Sequence, residues 1–151
     1  MAINVELYEI SEVEDSLFKY AVIPARYQGK WVFCRHRERA TWEVPGGRRE
    51  AGESIMNTAR RELWEETGAL EFELKPICAY SAGESSKGWG ILCYADIKEM
   101  GPLPELEIEE IQLTEGFFPG EPTYPDIQPI LLSKVMPVLR AVDNEEGIVN
   151  S

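Results

Sequence analysis

The chain has 151 residues, 44% of them hydrophobic, and a formal net charge of −12. That is the length of one ordinary domain with enough apolar material for a packed core, and no run of about 18 apolar residues is present to span a membrane. The charge excludes general affinity for nucleic acid or an anionic membrane, although local arginines and a divalent cation can reverse the field inside one cleft.

Taken in order, Val5 to Ile10 reads as a short strand and Glu12 to Asp15 as an acidic turn. Leu17 to Ala25 is β-rich and reads as a core strand; Gln28-Gly29-Lys30 turns it back into Trp31 to Cys34. Arg35, Arg37 and Arg39 follow at alternate positions. They read either as a solvated loop or as phosphate contacts, because guanidinium pairs bidentately with phosphate oxygens. Trp42 to Val44 is a brief strand stopped by Pro45-Gly46-Gly47, where two glycines let the backbone approach a ligand. Ser54 caps a helix carrying an apolar stripe of Ile55, Met56, Ala59 and Leu63, and Gly68 ends it. Phe72 to Tyr80 and Trp89 to Ile97 read as strands, the second an interior one, with a small polar loop from Ser81 to Gly88 between them. Gly101 to Glu110 is a loop leading into a strand near Ile111 to Leu113, and Phe117 to Pro125 is turn-rich. Ile127 to Ala141 has the spacing of a closing helix, with Pro129 in its first turn and Pro137 expected to kink it. Residues from Asp143 onward read as a frayed tail. No repeat or linker is visible, so one domain over 1–151 is expected.

Other composition features narrow the chemistry. The N-terminus lacks the order of a signal peptide, which points to a cytoplasmic protein. Cys34, Cys78 and Cys93 have no CxxC spacing and read as reduced thiols. With the single histidine His36, carboxylates must do the acid–base or metal work. Three of them, Glu62, Glu65 and Glu66, fall within an arc of roughly 100° near the end of the helix. A solvated acidic face is the plain reading. Against it, acids are disfavoured where the helix dipole is negative, which suggests a bound cation between them. Clustered glutamates beside a glycine loop suit Mg²⁺, which takes oxygen ligands and lowers the pKa of a bound water.

The stretch from Gly47 to Ala69 resembles the Nudix box: Gly, five residues, Glu, seven residues, then Arg-Glu-aliphatic-x-Glu-Glu-x-Gly-aliphatic. Gly47, Glu53, Arg61, Glu62, Leu63, Glu65, Glu66 and Gly68 match, and Ala69 stands in the final hydrophobic slot. The resemblance implies an α/β (α+β) fold, an α/β/α sandwich with a mixed central sheet and a loop–helix–loop catalytic motif. It also implies Mg²⁺- or Mn²⁺-dependent hydrolysis of a nucleoside diphosphate linked to a group X. Carried over, Glu65, Glu66 and the Gly46 carbonyl are expected to hold metal, Glu62 to be a further ligand or the general base, and Glu53 with Arg61 to form a scaffolding ion pair. Glu105, Glu107, Glu109 and Glu110 are candidates for an additional acid. A frequent homodimer is a further implication.

The short chain is most like the small MutT-like members that convert purine nucleoside triphosphates, oxidised ones included, to monophosphate and pyrophosphate. Such members read the base with a carboxylate or amide just before the closing helix, which points to Asp126, itself also a plausible helix N-cap. Arg35, Arg37 and Gly47 are the expected phosphate-side contacts. Trp89, Phe117 or Phe118 either stack on the base or pack in the core. ADP-ribose or nucleotide-sugar cleavage is the alternative enzyme reading. A nucleotide sensor without turnover would be expected to lose carboxylates that are intact here, and an RNA 5′-end activity conflicts with the acidic charge.

Overall fold

An apolar run from Ile91 to Ala95 lies at the middle of the molecule and is buried on both faces. Side chains on a strand alternate, so Ile91, Cys93, Ala95 and Ile97 join one core while Leu92 and Tyr94 join a second. A computed structural model describes residues 4–83, 88–137 and 139. Residues 84–87 of the expected polar loop, positions 138, 140 and 141 of the expected closing helix, and the tail from Asp143 lie outside the described residues.

The strands are β1 (Val5–Tyr8), β2 (Phe18–Val22), β3 (Ala25–Tyr27), β4 (Lys30–His36), β5 (Trp42–Glu43), β6 (Gly46–Arg48), β7 (Ala69–Ala82), β8 (Gly88–Met100) and β9 (Ile108–Thr114). Two short 3₁₀ turns, Ile10–Glu12 and Asp15–Leu17, join β1 to β2. Helix α1 spans Ile55–Thr67, and α2 begins at 128, its described residues being 128–137 and 139. The sheet is mixed: β8 runs parallel to β2 and β3 and antiparallel to β7, and β7 carries β1 on its outer edge. Ile55, Ala59 and Leu63 of α1 fill the first core; Leu131, Leu132 and Val135 of α2 fill the second. Helices on both faces of one mixed sheet make the expected α/β/α sandwich. Among the described residues no helix is long and apolar enough to cross a membrane.

Two departures from the sequence reading shape the site. The strand expected over Leu17 to Ala25 is two strands. Pro24 has no N–H for the ladder, and the chain changes partners there: the Ile23 N–H donates to the Pro45 carbonyl at 2.7 Å, while the Pro24 carbonyl accepts from Ala95 N–H at 3.1 Å. The sheet therefore forks. One branch runs from β2 to β6; the other runs from β3 to β4, and β4 pairs with both β5 and β9. The second departure is that, although β5 stops at Glu43 ahead of Pro45 as expected, Gly46-Gly47 opens a further strand, β6, against β2. A Cβ at Gly46 would lie 2.6 Å from the Ala21 carbonyl oxygen, so a bare backbone is needed for this approach. Helix α1 follows with the expected ends: Ser54 Oγ accepts from the Asn57 N–H at 3.1 Å, and Gly68 takes φ 83°. β9 starts earlier than expected, because Ile108 already pairs with His36.

Candidate active site

Burying one face of α1 fixes what its other residues meet. Glu53, just before the helix, and Arg61 form a two-pronged ion pair: Arg61 Nε donates to Glu53 Oε2 at 2.7 Å and Nη2 to Oε1 at 3.0 Å. Thr58 Oγ1 donates to Oε1 at 2.6 Å, and the Glu50 N–H adds a bond at 3.1 Å. These donors, Arg61 foremost, pull the Glu53 carboxyl down to about 2. Arg61 Nη2 also donates to the Arg48 carbonyl at 2.9 Å, tying the helix to β6. The expected scaffolding pair is thus made, and it is braced on both sides.

The acids at the far end of the helix are treated differently. Arg61 Nη1 donates to Glu62 Oε1 at 2.7 Å and to Glu65 Oε2 at 3.1 Å, so a guanidinium stands between two carboxylates for which a bound cation was expected. Glu62 is nevertheless pushed up to about 7, chiefly by burial; Arg61 opposes this, and Glu65 and Glu107 reinforce it. Glu66 is buried, 6% exposed, and accepts from the Gly46 N–H at 2.9 Å. Burial raises it to about 9; the Gly46 bond opposes, and Glu62, Glu43 and Glu107 add repulsion. Gly47 makes room here as well: a Cβ on it would lie 2.2 Å from the Glu62 carboxyl carbon and push that carboxyl aside. Both backbone groups of a strand residue face the same side of the ladder. The Gly46 carbonyl therefore shares the side on which its N–H meets Glu66.

Glu107 is the member of the acidic quartet that reaches this cluster. It lies just before β9, where its carbonyl accepts from Arg37 N–H at 2.9 Å and its carboxylate lies 3.4 Å from His36 Nε2. Glu109 pairs instead with Arg37 at 3.7 Å, Glu110 with Arg35 at 3.4 Å, and Glu105 is exposed. Among the described residues no three acidic, histidine or cysteine side chains are gathered closely enough to grip an ion as they stand. The donors suit a hard divalent ion by chemistry, all oxygen and with Glu66 lacking a cationic partner, rather than as a finished cage.

From this acidic end a series of neighbouring recesses that share lining residues runs across the fork of the sheet. Glu50, Arg61, Glu62, Glu65, Glu66 and Glu107 line a recess of about 250 Å³. It opens into a stretch of about 410 Å³ with His36, Arg39, Arg48 and Arg49 on its walls. Beyond Glu43, Gly46, Gly47 and Tyr124, which both parts share, lies a pocket of about 470 Å³ walled by Tyr20, Tyr80, Ile127 and Gln128. Glycines make room for its rings: a Cβ at Gly90 would strike Tyr80, and one at Gly88 would press on Tyr20. The segment 121–124 is held over the pocket by bonds from Trp42 N–H to Glu121 O and from Thr123 N–H to Trp42 O. Arg39, bonded to both Glu43 and Tyr124, crosses the boundary between the two parts.

Several sequence expectations are relocated by this geometry. Arg35 and Arg37 are not among the residues lining the cleft: Arg35 is turned to Glu110, its register partner on β9, and Arg37, just past β4, to Glu109. His36, Arg39, Arg48 and Arg49 take the cleft walls instead. Asp126 is exposed, and two residues further on Gln128 is buried against the pocket. Trp89 packs on the first core and stacks edge-on against Tyr8 at 4.9 Å. Phe118 packs on Phe33, and Phe117 is exposed. The sequence reading missed Tyr20, Tyr80, Tyr124 and Gln128 because they come from separate elements and carry no shared spacing.

Comparison with known proteins agrees with this geometry. The NUDIX domain profile matches residues 19–121. YtkD of Bacillus subtilis (strain 168), named for an 8-oxo-dGTP diphosphatase activity, is 34% identical over 83 residues, 54% of this chain and 52% of that protein. A MutT-like protein of Streptomyces ambofaciens is 40% identical over 48 residues, 32% of this chain and 31% of its own. The chain thus spans about half the length of the first curated relative and about a third of the second. Among solved structures, the Bacillus subtilis pyrophosphohydrolase BsRppH is 26% identical with a TM-score of 0.72, covering 95% of this chain and 91% of that one. A UDP-X diphosphatase, 17% identical with a TM-score of 0.65 over 78% of this chain and 62% of its own, shares the fold.

Proposed function

The chain belongs to the NUDIX domain family, and on that premise we propose that it hydrolyses a nucleoside diphosphate linked to a group X. The substrate class is a purine nucleoside triphosphate, oxidised ones included, and the products are monophosphate and pyrophosphate. One observation supports this reading: neighbouring recesses that share lining residues change character in the order of a nucleotide's own parts, from a tyrosine pocket, past arginines, to a carboxylate cluster. The names of YtkD and BsRppH support the same reaction class.

Glu65, Glu66, Glu62 and the Gly46 carbonyl are the groups we assign to hold a divalent ion, Mg²⁺ or Mn²⁺. When bound, such an ion supplies charge neutralisation of the phosphates and a more acidic water. The residues do the rest. Glu53 and Arg61 fix the helix against β6, Arg39 and Arg48 line the phosphate stretch, and Glu62, beside Gly47, is the further ligand or the base to which we assign the proton from water. Glu107, held near His36, is the additional acid. We take 1–151 as one catalytic domain acting in the cytoplasm as a monomer or homodimer, with no nucleic-acid or membrane partner, in keeping with the charge of −12.

A second reading has one specific support. A groove of about 660 Å³ along Asp15, Lys19, Arg48, Arg49 and Glu50 adjoins the phosphate stretch, giving room for a larger X such as the ribose phosphate of ADP-ribose or the sugar of a nucleotide sugar. The test is a panel of nucleoside triphosphates, oxidised purine triphosphates, ADP-ribose and nucleotide sugars with Mg²⁺ or Mn²⁺, read by product identification. Monophosphate with pyrophosphate is expected. A sugar phosphate as the main product would favour the second reading, and tight binding without any product would replace both with a nucleotide sensor.

A further inference from the structure

Arg49 stands at a position that the Nudix box leaves open, among the residues between Gly47 and Glu53. The turn that follows it has no side chain in the core: Glu50, Ala51 and Gly52 are exposed, and Gly52 takes φ 80° to complete the reversal. A turn of this kind is placed by its polar ties. One tie is internal, from the Glu53 N–H to the Glu50 carbonyl at 3.2 Å. The others come from Arg49. Its Nε donates to the Glu53 carbonyl at 2.7 Å. Its Nη1 donates to the carbonyls of Asp15 at 2.7 Å and Phe18 at 3.3 Å, and its Nη2 to Asp15 Oδ2 at 3.1 Å. Its own N–H donates to the Lys19 carbonyl at 2.8 Å. Every nitrogen of the residue is thus spent on the protein. Glu53 is gripped at both ends: Arg61, from the helix, holds its carboxylate, and Arg49 ties its carbonyl to the 3₁₀ turn at Asp15 and the first residue of β2.

We infer that Arg49 is a positioning residue for the reaction: it fixes Glu53 against the start of β2, and through Glu53 and Arg61 it sets where Glu62 and Glu65 stand. The inference rests on the hydrolytic reading above. Arg61 Nη1 bonds to both Glu62 and Glu65, so a shift of the Glu53 carboxylate moves the guanidinium and the two acids with it. Partners that orient ligating carboxylates from behind act on metal affinity and turnover together. The ion pair with Asp15 carries little of this, because Asp15 is 68% exposed and such pairs are screened by water. The carbonyl bonds carry it, and they need a planar fork of donors that a single ammonium cannot supply. The same geometry separates Arg49 from its neighbour Arg48. Adjacent strand residues point to opposite faces. Arg48 lies over the Tyr20 ring at 5.6 Å, toward the tyrosine pocket, whereas the fork of Arg49 is turned into the protein. Arg49 also borders the phosphate stretch, so direct contact with a phosphate is the competing role.

Two variants separate these roles: Arg49→Lys, which keeps the charge, and Arg49→Met, which keeps only the stem. Each is made in the full chain, alone and together with Glu53→Gln. Steady-state kinetics on the best substrate of the panel gives kcat and KM. Mn²⁺ affinity of the protein alone is read by electron paramagnetic resonance of the free ion, and circular dichroism checks folding; were Arg49→Met not to fold, Arg49→Lys would decide. Both variants are expected to lower kcat about fivefold or more with KM within about twofold, and to weaken Mn²⁺ binding about threefold or more. In the Glu53→Gln protein the further loss is expected to stay within about twofold, because the route to the acids is already broken. A raised KM that Arg49→Lys restores would make Arg49 a phosphate contact and overturn the assignment. Losses that multiply with those of Glu53→Gln, or a lowered stability with kcat and Mn²⁺ affinity unchanged, would overturn it as well. Absence of turnover on the whole panel would remove the hydrolytic reading, while a loss of Mn²⁺ affinity absorbed by Glu53→Gln would still support the positioning role. Neither turnover nor Mn²⁺ binding by the unsubstituted chain would overturn both.

Discussion

Glu53 and Glu66 stand at opposite ends of one loop-and-helix unit, and their surroundings drive them in opposite directions. Glu53 is surrounded by donors, with Arg61 on two prongs and Thr58 on a third, and its carboxyl falls to about 2. Glu66 is buried with one backbone N–H for company and three other acids in range, and its carboxyl rises to about 9. The protein completes the electrostatics of the first site from its own side chains. It leaves the second short of positive charge. A carboxylate finished internally is scaffold; one left unfinished beside a cleft is a place for something else to bind.

The sharpest way to test this division is to neutralise each end. Glu66→Gln and Glu65→Gln are expected to lower kcat/KM by about 10²–10³-fold or more with the folded structure retained, as measured by steady-state kinetics and circular dichroism. Gly47→Ala comes next. Its Cβ would lie 2.2 Å from the Glu62 carboxyl carbon, and displacing that carboxyl by about 1 Å is expected to cost on the order of 10²-fold in turnover. Glu53→Gln should lose about tenfold in turnover and about 1–3 kcal/mol of stability, because the two-pronged charged pair with Arg61 becomes a neutral one while Glu62 and Glu65 stay bonded to its Nη1. If Glu53→Gln proved as damaging to turnover as Glu66→Gln while the protein stayed folded, the distinction between scaffold and binding acid would fail.

The smallest effect is in pH, and its sign separates the two ends. Glu66 is raised in the folded state, so in a chelator its contribution to stability is complete below the unfolded carboxylate pKa of about 4.3 and is lost as pH rises toward about 9. Glu53 is lowered, so its contribution is present above about 4.3 and is lost as pH falls toward about 2. Denaturant midpoints across pH 3 to 9 should therefore show two opposed slopes. Glu66→Gln reduces the alkaline one to the part that Glu62 contributes, which is lost as pH rises through about 7, and Glu53→Gln removes the acidic one. Loss of both slopes in a single variant would mean that the two groups titrate as one network.

What the sequence showed follows the range of the interactions. Helix α1 was legible because its cap at Ser54, its stripe from Ile55 to Leu63 and its Gly68 terminus lie within a few turns of one another. The fork at Pro24 was not, because it depends on β8, whose partnering residues Leu92 and Ala95 lie about seventy positions away. The arginines at the end of β4 and just past it were visible as a group, but which of them turn to the cleft is decided by Glu109 and Glu110 on β9. Glu107 could not be told from its neighbours by spacing; its place opposite His36 distinguishes it. Gln128 lay two residues past the position expected to read the base, within the first turn of α2, where it is held by a backbone bond to Val44.

The fork at Pro24 has a further consequence for how such a molecule can be altered. The branch of β2 and β6 leads into the carboxylate helix, whereas the branch of β3, β4 and β5 supplies Glu43 and Arg39 and anchors the segment bearing Tyr124. Both branches register against β8, at separate stretches of it. Lengthening the 37–41 or 115–124 connections therefore leaves the pairing of β2 with β6 untouched. On the reading proposed above, the sheet is a chassis with two mounts, one leading into the carboxylate helix and one carrying the rim of the tyrosine pocket, and exchanging loops on the second is the expected route to altered ligand choice with the β2–β6 pairing kept in place.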